Sequence, residues 1–407
     1  MKPVLYASPL DVGYDHRTVV GDIHFEAYPG QMICLIGPNG AGKSTILRTL
    51  SGLQPPVQGT VLLSGTDISR MKKGELARKM ALVLTENVSP GLMTAFEMAA
   101  LGRQPHTNFF GSLKKKDIEI IEQAMKTVNA THLSDRYFAD LSDGEKQKIL
   151  IARALVQQPE VIVLDEPTSH LDVKHKVEVL QILGKLCRET GITVVVSLHD
   201  IDLAIKCCHR LMLIKGNQVL AQGTPDEVIT SGTVQELYDI EGAKYNELLG
   251  SIEVYGGGTP RVFAVAGGGS GIGLFRALSR EGIGFACGIL QPFDPDAQVA
   301  SALGAPVVEG EAFGEIREEE CERAYQLIEK MEYIVDTGFA IGTMNRLSTK
   351  LISKAIDMGK KVYAFRKTQE IQDLYGKKQD LYGENLKIYS VKNIGEFIDK
   401  IRSDDSV

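Results

Sequence analysis

Two short stretches carry residues that could do phosphate chemistry together. The first is GPNGAGKST at 37–45. Gly37, Gly40 and Gly42 let a backbone curl closely round an anion and turn its amide N–H groups inward as donors. Lys43 adds a point positive charge for β- and γ-phosphate oxygens, and Ser44 offers a hydroxyl to Mg²⁺. A helix starting there would aim its positive end at the same anion. The second stretch is VIVLDEP at 161–167. Four apolar residues predict a buried strand, with Asp165 and Glu166 at its end. Asp165 can hold Mg²⁺ directly or through water. Glu166, one step further, can face an attacking water as general base or water orienter. An acidic pair before proline could also simply end a strand; the phosphate loop is what favours the chemical reading.

The surrounding elements must bring these stretches together. QMICLI at 31–36 reads as a compact apolar strand running into the loop, with a helix after it over 46–50. Shorter strands are expected at 12–14, 19–25, 61–63 and 80–85. From about 94 to 160 the spacing turns helical, as in AFEMAALGR and DIEIIEQAMKTVNA. Strands return at 161–164, 193–197 and 211–214, so the helical block is an insertion within one α/β domain. A closing helix is expected over 237–249, and the glycines at 256–258 place a domain boundary there. The first domain is thus read as 1–255. The second, 259–407, alternates strands and helices and is read as a small Rossmann-like α/β unit with a mostly parallel sheet.

The size agrees with two domains, since 407 residues exceed what one core usually organises. A net charge of −7 argues against a general nucleic-acid binder, so no nucleic-acid partner is expected. Six cysteines without a CxxC pair signal neither a zinc site nor a disulfide framework. No uncharged apolar run reaches the length of a membrane span, so membrane association would have to come through a partner or a surface contact.

With both stretches in view, residues 1–250 resemble the nucleotide-binding subunits of ABC transporters. The motifs stand in the family's order. Tyr14 matches the aromatic residue that stacks on adenine. Residues 37–45, Asn39 and Thr45 included, match the Walker A loop. LSDGE at 141–145 matches the signature usually written LSGGQ, 161–166 the Walker B strand, and SHLD at 169–172 the D-loop. His199 matches the switch histidine beside the γ-phosphate. The resemblance implies an ATPase using ATP and Mg²⁺ and working as a homodimer. Lys43, Glu166 and His199 would act on phosphate and water, and Ser44, Asp165 and Glu86 would hold the metal. Ser142 and Gly144 would close over the partner copy's nucleotide. Two departures stand out: Asp143 and Glu145 replace the usual Gly and Gln of the signature, and Glu86 stands where many members have Gln. The acids of the signature are expected to turn outward or toward basic neighbours such as Lys146.

No membrane-spanning segment accompanies the ATPase, so a separate integral membrane permease is implied, with the chain peripheral on the cytoplasmic face of the membrane. Residues 84–105, ending in ALGRQP, resemble the corresponding stretch of ATPases serving iron–siderophore, haem and cobalamin uptake. That implies an importer fed by an extracytoplasmic binding protein. Export, or a non-transport role in DNA repair or translation, is the alternative.

The second domain opens with AGGGSGIG at 266–273, between a predicted strand and helix. Such a loop could cradle a phosphate or another anionic ligand, though GxGxxG does not fit in register and no acid is evident for a ribose. Asp336, at the end of YIVD, marks another crevice candidate. A small regulatory ligand, nucleotide-like or substrate-related, competes here with a purely structural role in packing or dimer support and with a second enzyme, for which no coherent acid–base or nucleophile set emerges. The acidic run EIREEECE at 315–322 reads as a solvated helix start.

Overall fold

The computed structural model of the chain describes residues 2–84, 91–107, 112–375 and 388–404. These fall into two compact units, Met1–Tyr238 and Asp239–Val407.

In the first unit, β1 (Leu5–Tyr14), β2 (Arg17–Ala27), β4 (Gln58–Leu63) and β5 (Thr66–Asp67) form an antiparallel sheet in the order β2-β1-β4-β5. A second sheet is built from β3 (Met32–Ile36), β6 (Met80–Val83), β7 (Val161–Leu164), β8 (Thr193–Ser197), β9 (Arg210–Lys215) and β10 (Gln218–Gly223). Its order is β10-β9-β3-β8-β7-β6, parallel except for the β9–β10 hairpin. Side chains alternate across a strand, and here both faces are buried. Ile33, Leu35, Val163 and Val195 pack toward the antiparallel sheet and the helix Lys43–Leu50. Cys34, Ile36, Leu164 and Val196 pack toward the helical insertion and the helix Val173–Thr190. This explains why β3 and β7 read as unbroken apolar runs.

The insertion contains the helices Ala95–Ala100, Lys115–Thr127 and Asp143–Val156. Two residues of ALGRQP lock it. A Cβ on Gly102 would lie 2.0 Å from the Arg153 carbonyl oxygen, so only glycine permits this approach. Arg103 is buried, bonds Asp117 at 2.9 Å, and donates to the Val156 carbonyl. Glu86 lies outside the described residues.

The segment 237–249 differs from expectation. A helix Ser231–Tyr238 ends early, and β11 (Ala243–Asn246) and β12 (Ser251–Val254) follow as an antiparallel hairpin. Gly242 and Gly250 take left-handed conformations, with φ 70 and 63, and the Asn246 side chain accepts from the Leu249 amide to close the turn. Helical spacing of the apolar residues was outweighed by turn chemistry. The hairpin belongs to the second unit, so the division falls at 238–239 rather than at the glycines 256–258.

The rest of the second unit is a six-stranded sheet: β13 (Pro260–Val265), β14 (Gly284–Leu290), β15 (Val307–Glu309), β16 (Tyr333–Asp336), β17 (Lys361–Ala364) and β18 (Ile388–Ser390). Every pairing is parallel, in the order β15-β14-β13-β16-β17-β18. Val262 and Ala264 face a core closed by the helices Ile272–Arg280, Pro295–Ala302 and Ile394–Asp404. Phe263 and Val265 face the opposite core, with Glu318–Lys330 and Ser348–Asp357.

Candidate functional site

The loop between β3 and the helix Lys43–Leu50 takes the curled form that its glycines predict. Gly40 and Gly42 have φ 80 and 100. A Cβ on Gly37 would lie 2.2 Å from the Ile214 carbonyl oxygen, and one on Gly42 2.5 Å from the Val20 side chain. Gly42 caps the helix without a side chain, which leaves the amides at its start open toward the loop. Lys43 is buried, and its ammonium donates to the carbonyls of Gly37 at 2.7 Å and Pro38 at 3.0 Å. Burial lowers its pKa, while the carboxylates of Glu166 and Asp165 oppose that shift. Ser44 and Thr45 lie in the first turn, and the half-exposed Tyr14 reaches Thr45 Oγ1 with its hydroxyl at 3.4 Å. Asn39 lies in the same turn of chain.

The acidic pair stands at the end of β7. Asp165 is buried, and its Oδ1 accepts from the Ser197 hydroxyl at 2.7 Å. The same hydroxyl oxygen accepts from the Glu166 amide at 2.8 Å. Glu166 is held at φ 46, a conformation costly for a side-chain-bearing residue unless its surroundings impose it. Its carboxylate lies 2.6 Å from His199 Nε2 through one oxygen and accepts from Ser169 through the other, at 3.0 Å. Lys43, Asp165, Glu166 and His199 therefore converge at the carboxyl ends of adjacent parallel strands, where such sheets present ligands. Ser197 was missed from sequence: it reads as a strand residue, and only the pairing of β7 with β8 sets it beside the acids.

Ser142 and Gly144 form a separate cluster. Ser142 caps the helix Asp143–Val156 in a reciprocal box with Glu145. The Ser142 amide and hydroxyl both donate to the same Glu145 oxygen at 2.8 Å, and Arg136 lies 3.3 Å from the other. The Ser142 backbone bond, then its hydroxyl, hold the Glu145 carboxyl below its ordinary value. Glu145 thus turns back to the cap and to Arg136 rather than to Lys146. A Cβ on Gly144 would lie 2.5 Å from the His175 ring. That ring is held by Asp172 of the SHLD segment, at 2.9 Å, and Asp172 also caps the helix Val173–Thr190. His175 was the second residue missed, because its partner Gly144 lies in another segment.

In the second unit, the glycine loop does not offer the empty anion cradle that its sequence suggests. Its amides are already taken: Gly268 donates to Asp294 at 2.9 Å, and Gly269 and Gly271 donate to Asp296 at 3.1 and 2.9 Å. Asp336 is likewise committed, to Arg366 at 2.6 Å, to the Tyr375 hydroxyl at 2.7 Å and to the Gly338 amide at 2.9 Å.

Comparison with known proteins agrees with the geometry of the first unit. The ABC transporter family model matches residues 20–169, and the MJ0874 family model matches residues 285–398. The chain is 44% identical over 280 residues to the ABC transporter ATP-binding protein MJ0873 of Methanocaldococcus jannaschii, covering 68% of this chain and 97% of that one. It is 37% identical over 236 residues to the ferric enterobactin transport ATP-binding protein FepC of Escherichia coli, covering 58% and 87%. It is 32% identical over 309 residues to the cobalamin import ATP-binding protein BtuD of Halobacterium salinarum, covering 73% and 76%. Among solved structures, a chain of an inward-facing ABC transporter described as of metal-chelate type is 29% identical, with a TM-score of 0.52 over 58% of this chain and 89% of that one. The protein belongs to the ATP-binding subunits of ABC transporters. It is an ATP-hydrolysing P-loop protein carrying an additional C-terminal α/β unit. Among the described residues no helix is long and apolar enough to cross a membrane.

Proposed function

We propose that this ATPase drives an importer for metal–chelate cargo of the iron–siderophore or cobalamin class, pairing with a second copy and docking on an integral membrane permease at the cytoplasmic face. The roles of its relatives support the cargo class: FepC serves ferric enterobactin and BtuD serves cobalamin. An extracytoplasmic binding protein would deliver the cargo.

The observation that carries the catalytic reading is the contact between Glu166 and His199 beside Lys43. In this reading the loop amides and the Lys43 ammonium bind the triphosphate and offset charge that builds on the transferred group. Tyr14 lies against the base, and Asn39, Gly40 and Thr45 shape the loop around the phosphates. Glu166 orients the attacking water and draws on its proton, while His199 holds the carboxylate on one side and the γ-phosphate on the other. Ser44 and Asp165 supply hydroxyl and carboxylate oxygens, a hard donor set that fits Mg²⁺. When bound, the ion neutralises phosphate charge. Ser142 and Gly144 of the second copy close the site, which requires Ser142 to release its hydroxyl from Glu145.

The test is Glu166→Gln in the full chain. ATP turnover should fall by about 100-fold or more, and gel filtration with Mg-ATP should show a dimer that the parent forms only transiently. Parent-like turnover in the variant would remove Glu166 from the mechanism. Cargo is read separately, by uptake of a labelled ferric siderophore or cobalamin into vesicles holding the permease.

A further inference from the structure

We propose that the second unit binds a nucleoside-like ligand, a planar ring bearing hydroxyl or amino donors and no phosphate. The site is the cavity at the carboxyl edge of its parallel sheet. The chain builds β13, β14 and β15 outward on one side, then returns to β16 and runs to β18 on the other. Parallel sheets open a ligand crevice at such a reversal, outside the carboxyl ends of the strands. A cavity of about 410 Å³ lies there, lined by residues that follow β13, β14, β15 and β16. That volume is in the range of small-ligand sites.

The charge of the lining selects the ligand. Among the described residues Asp294, Glu311 and Glu320 line the cavity and no Lys, Arg or His does, while Arg317 beside it pairs with Glu311. The loop amides that would otherwise take a phosphate are occupied by Asp294 and Asp296 from within the protein. A phosphate would therefore meet carboxylates and find no free nest, whereas hydroxyl and amino groups would meet acceptors. Gln291 and Asn345 add neutral polar groups to the wall. Asp294 also follows the second strand of the sheet, the region from which an acid takes ribose hydroxyls in dinucleotide-binding folds. The sequence alone gave no sign of this acid because Asp294 approaches the glycine loop only in the fold.

The rim supplies a surface for a ring. Phe293 and Phe313, next in the chain to the lining residues Asp294 and Gly314, are 69% and 78% exposed. They stack on each other with centroids 6.2 Å apart. Phe313 is held at φ 56, an unfavourable conformation for a bulky residue, and is kept there without the return of burial. Two exposed aromatic rings beside an acidic cavity suit a flat ligand that covers them.

The chain contains no tryptophan, so Phe313→Trp in the full protein places a single indole at this rim. Titration with adenosine and with guanosine should give a saturable change in its emission for at least one, with AMP or GMP binding about 10-fold or more weakly, as expected for an added charge meeting the carboxylates. Adding Gly342→Leu should abolish the change, because a Cβ at Gly342 has nothing nearer than Asn345 Oδ1 at 4.0 Å and a larger side chain would fill the cavity. Gly267→Val, where the nearest atom is Asp294 Oδ2 at 3.8 Å, is the second filling variant should the first fail to fold. The proposal is overturned by no saturable response to either nucleoside at millimolar concentration. It is equally overturned by a response that survives both filling variants, or by nucleotides binding as tightly as nucleosides.

Discussion

Ser197 is the sharpest point at which to probe the ATPase site. It is fully buried, and its hydroxyl joins the two acidic residues, donating to Asp165 at 2.7 Å and accepting from the Glu166 amide at 2.8 Å. Ser197→Ala removes both bonds and adds no bulk. Each buried polar group left without its partner costs about 1–3 kcal/mol, and two such groups give about 2–4 kcal/mol once partial access of water to Glu166 is allowed for. At about 2–4 °C per kcal/mol for a unit of this size, the melting temperature should fall by about 5–15 °C. Loss of the amide bond also releases Glu166 from its left-handed conformation, so its carboxylate should drift from the reacting water. ATP turnover should drop by about 10- to 100-fold, the scale of a displacement near 1 Å. The KM for ATP should hold within about twofold, because the Lys43 loop is untouched. A coupled phosphate-release assay beside differential scanning calorimetry reads both quantities. If turnover and melting both match the parent, the bridge does not position Glu166, and the two strand ends are held by something else.

Gly144→Ala should cost about 1–3 kcal/mol by forcing the His175 ring away, and should also lower turnover, both measurable by urea unfolding and phosphate release. Arg103→Leu leaves the buried Asp117 without its cation and should destabilise the first unit by about 3–5 kcal/mol in the same unfolding assay. Burial, and then the neighbouring Asp294, push the Asp296 carboxyl up from 3.8 to about 6. Its ionised form is therefore disfavoured by folding, so this group's contribution improves as pH falls through 6 toward 3.8 and worsens as pH rises. Urea unfolding of the parent and of Asp296→Asn between pH 4 and 6 should show that slope in the parent alone, whatever the variant's absolute stability.

The ATPase unit was legible because its chemistry lies in short contiguous runs. GPNGAGKST dictates its own loop, and β3 and β7 announce themselves as buried on both faces. The hairpin at 243–254 was not legible, since an Asx turn and two left-handed glycines overrode apolar spacing that also suits a helix. Ser197 and His175 were invisible for another reason: each acts on a residue from a distant segment.

The second unit shows the same division most sharply. Its run of glycines between strand and helix specifies a tight loop, and sequence alone determines that much, because the backbone conformations are local. What the loop binds depends on which side chains the parallel sheet returns to it. Tertiary structure brings Asp294 and Asp296 onto those amides, fills the anion nest from within, and leaves an acidic cavity beside a loop whose sequence alone could equally have cradled a phosphate.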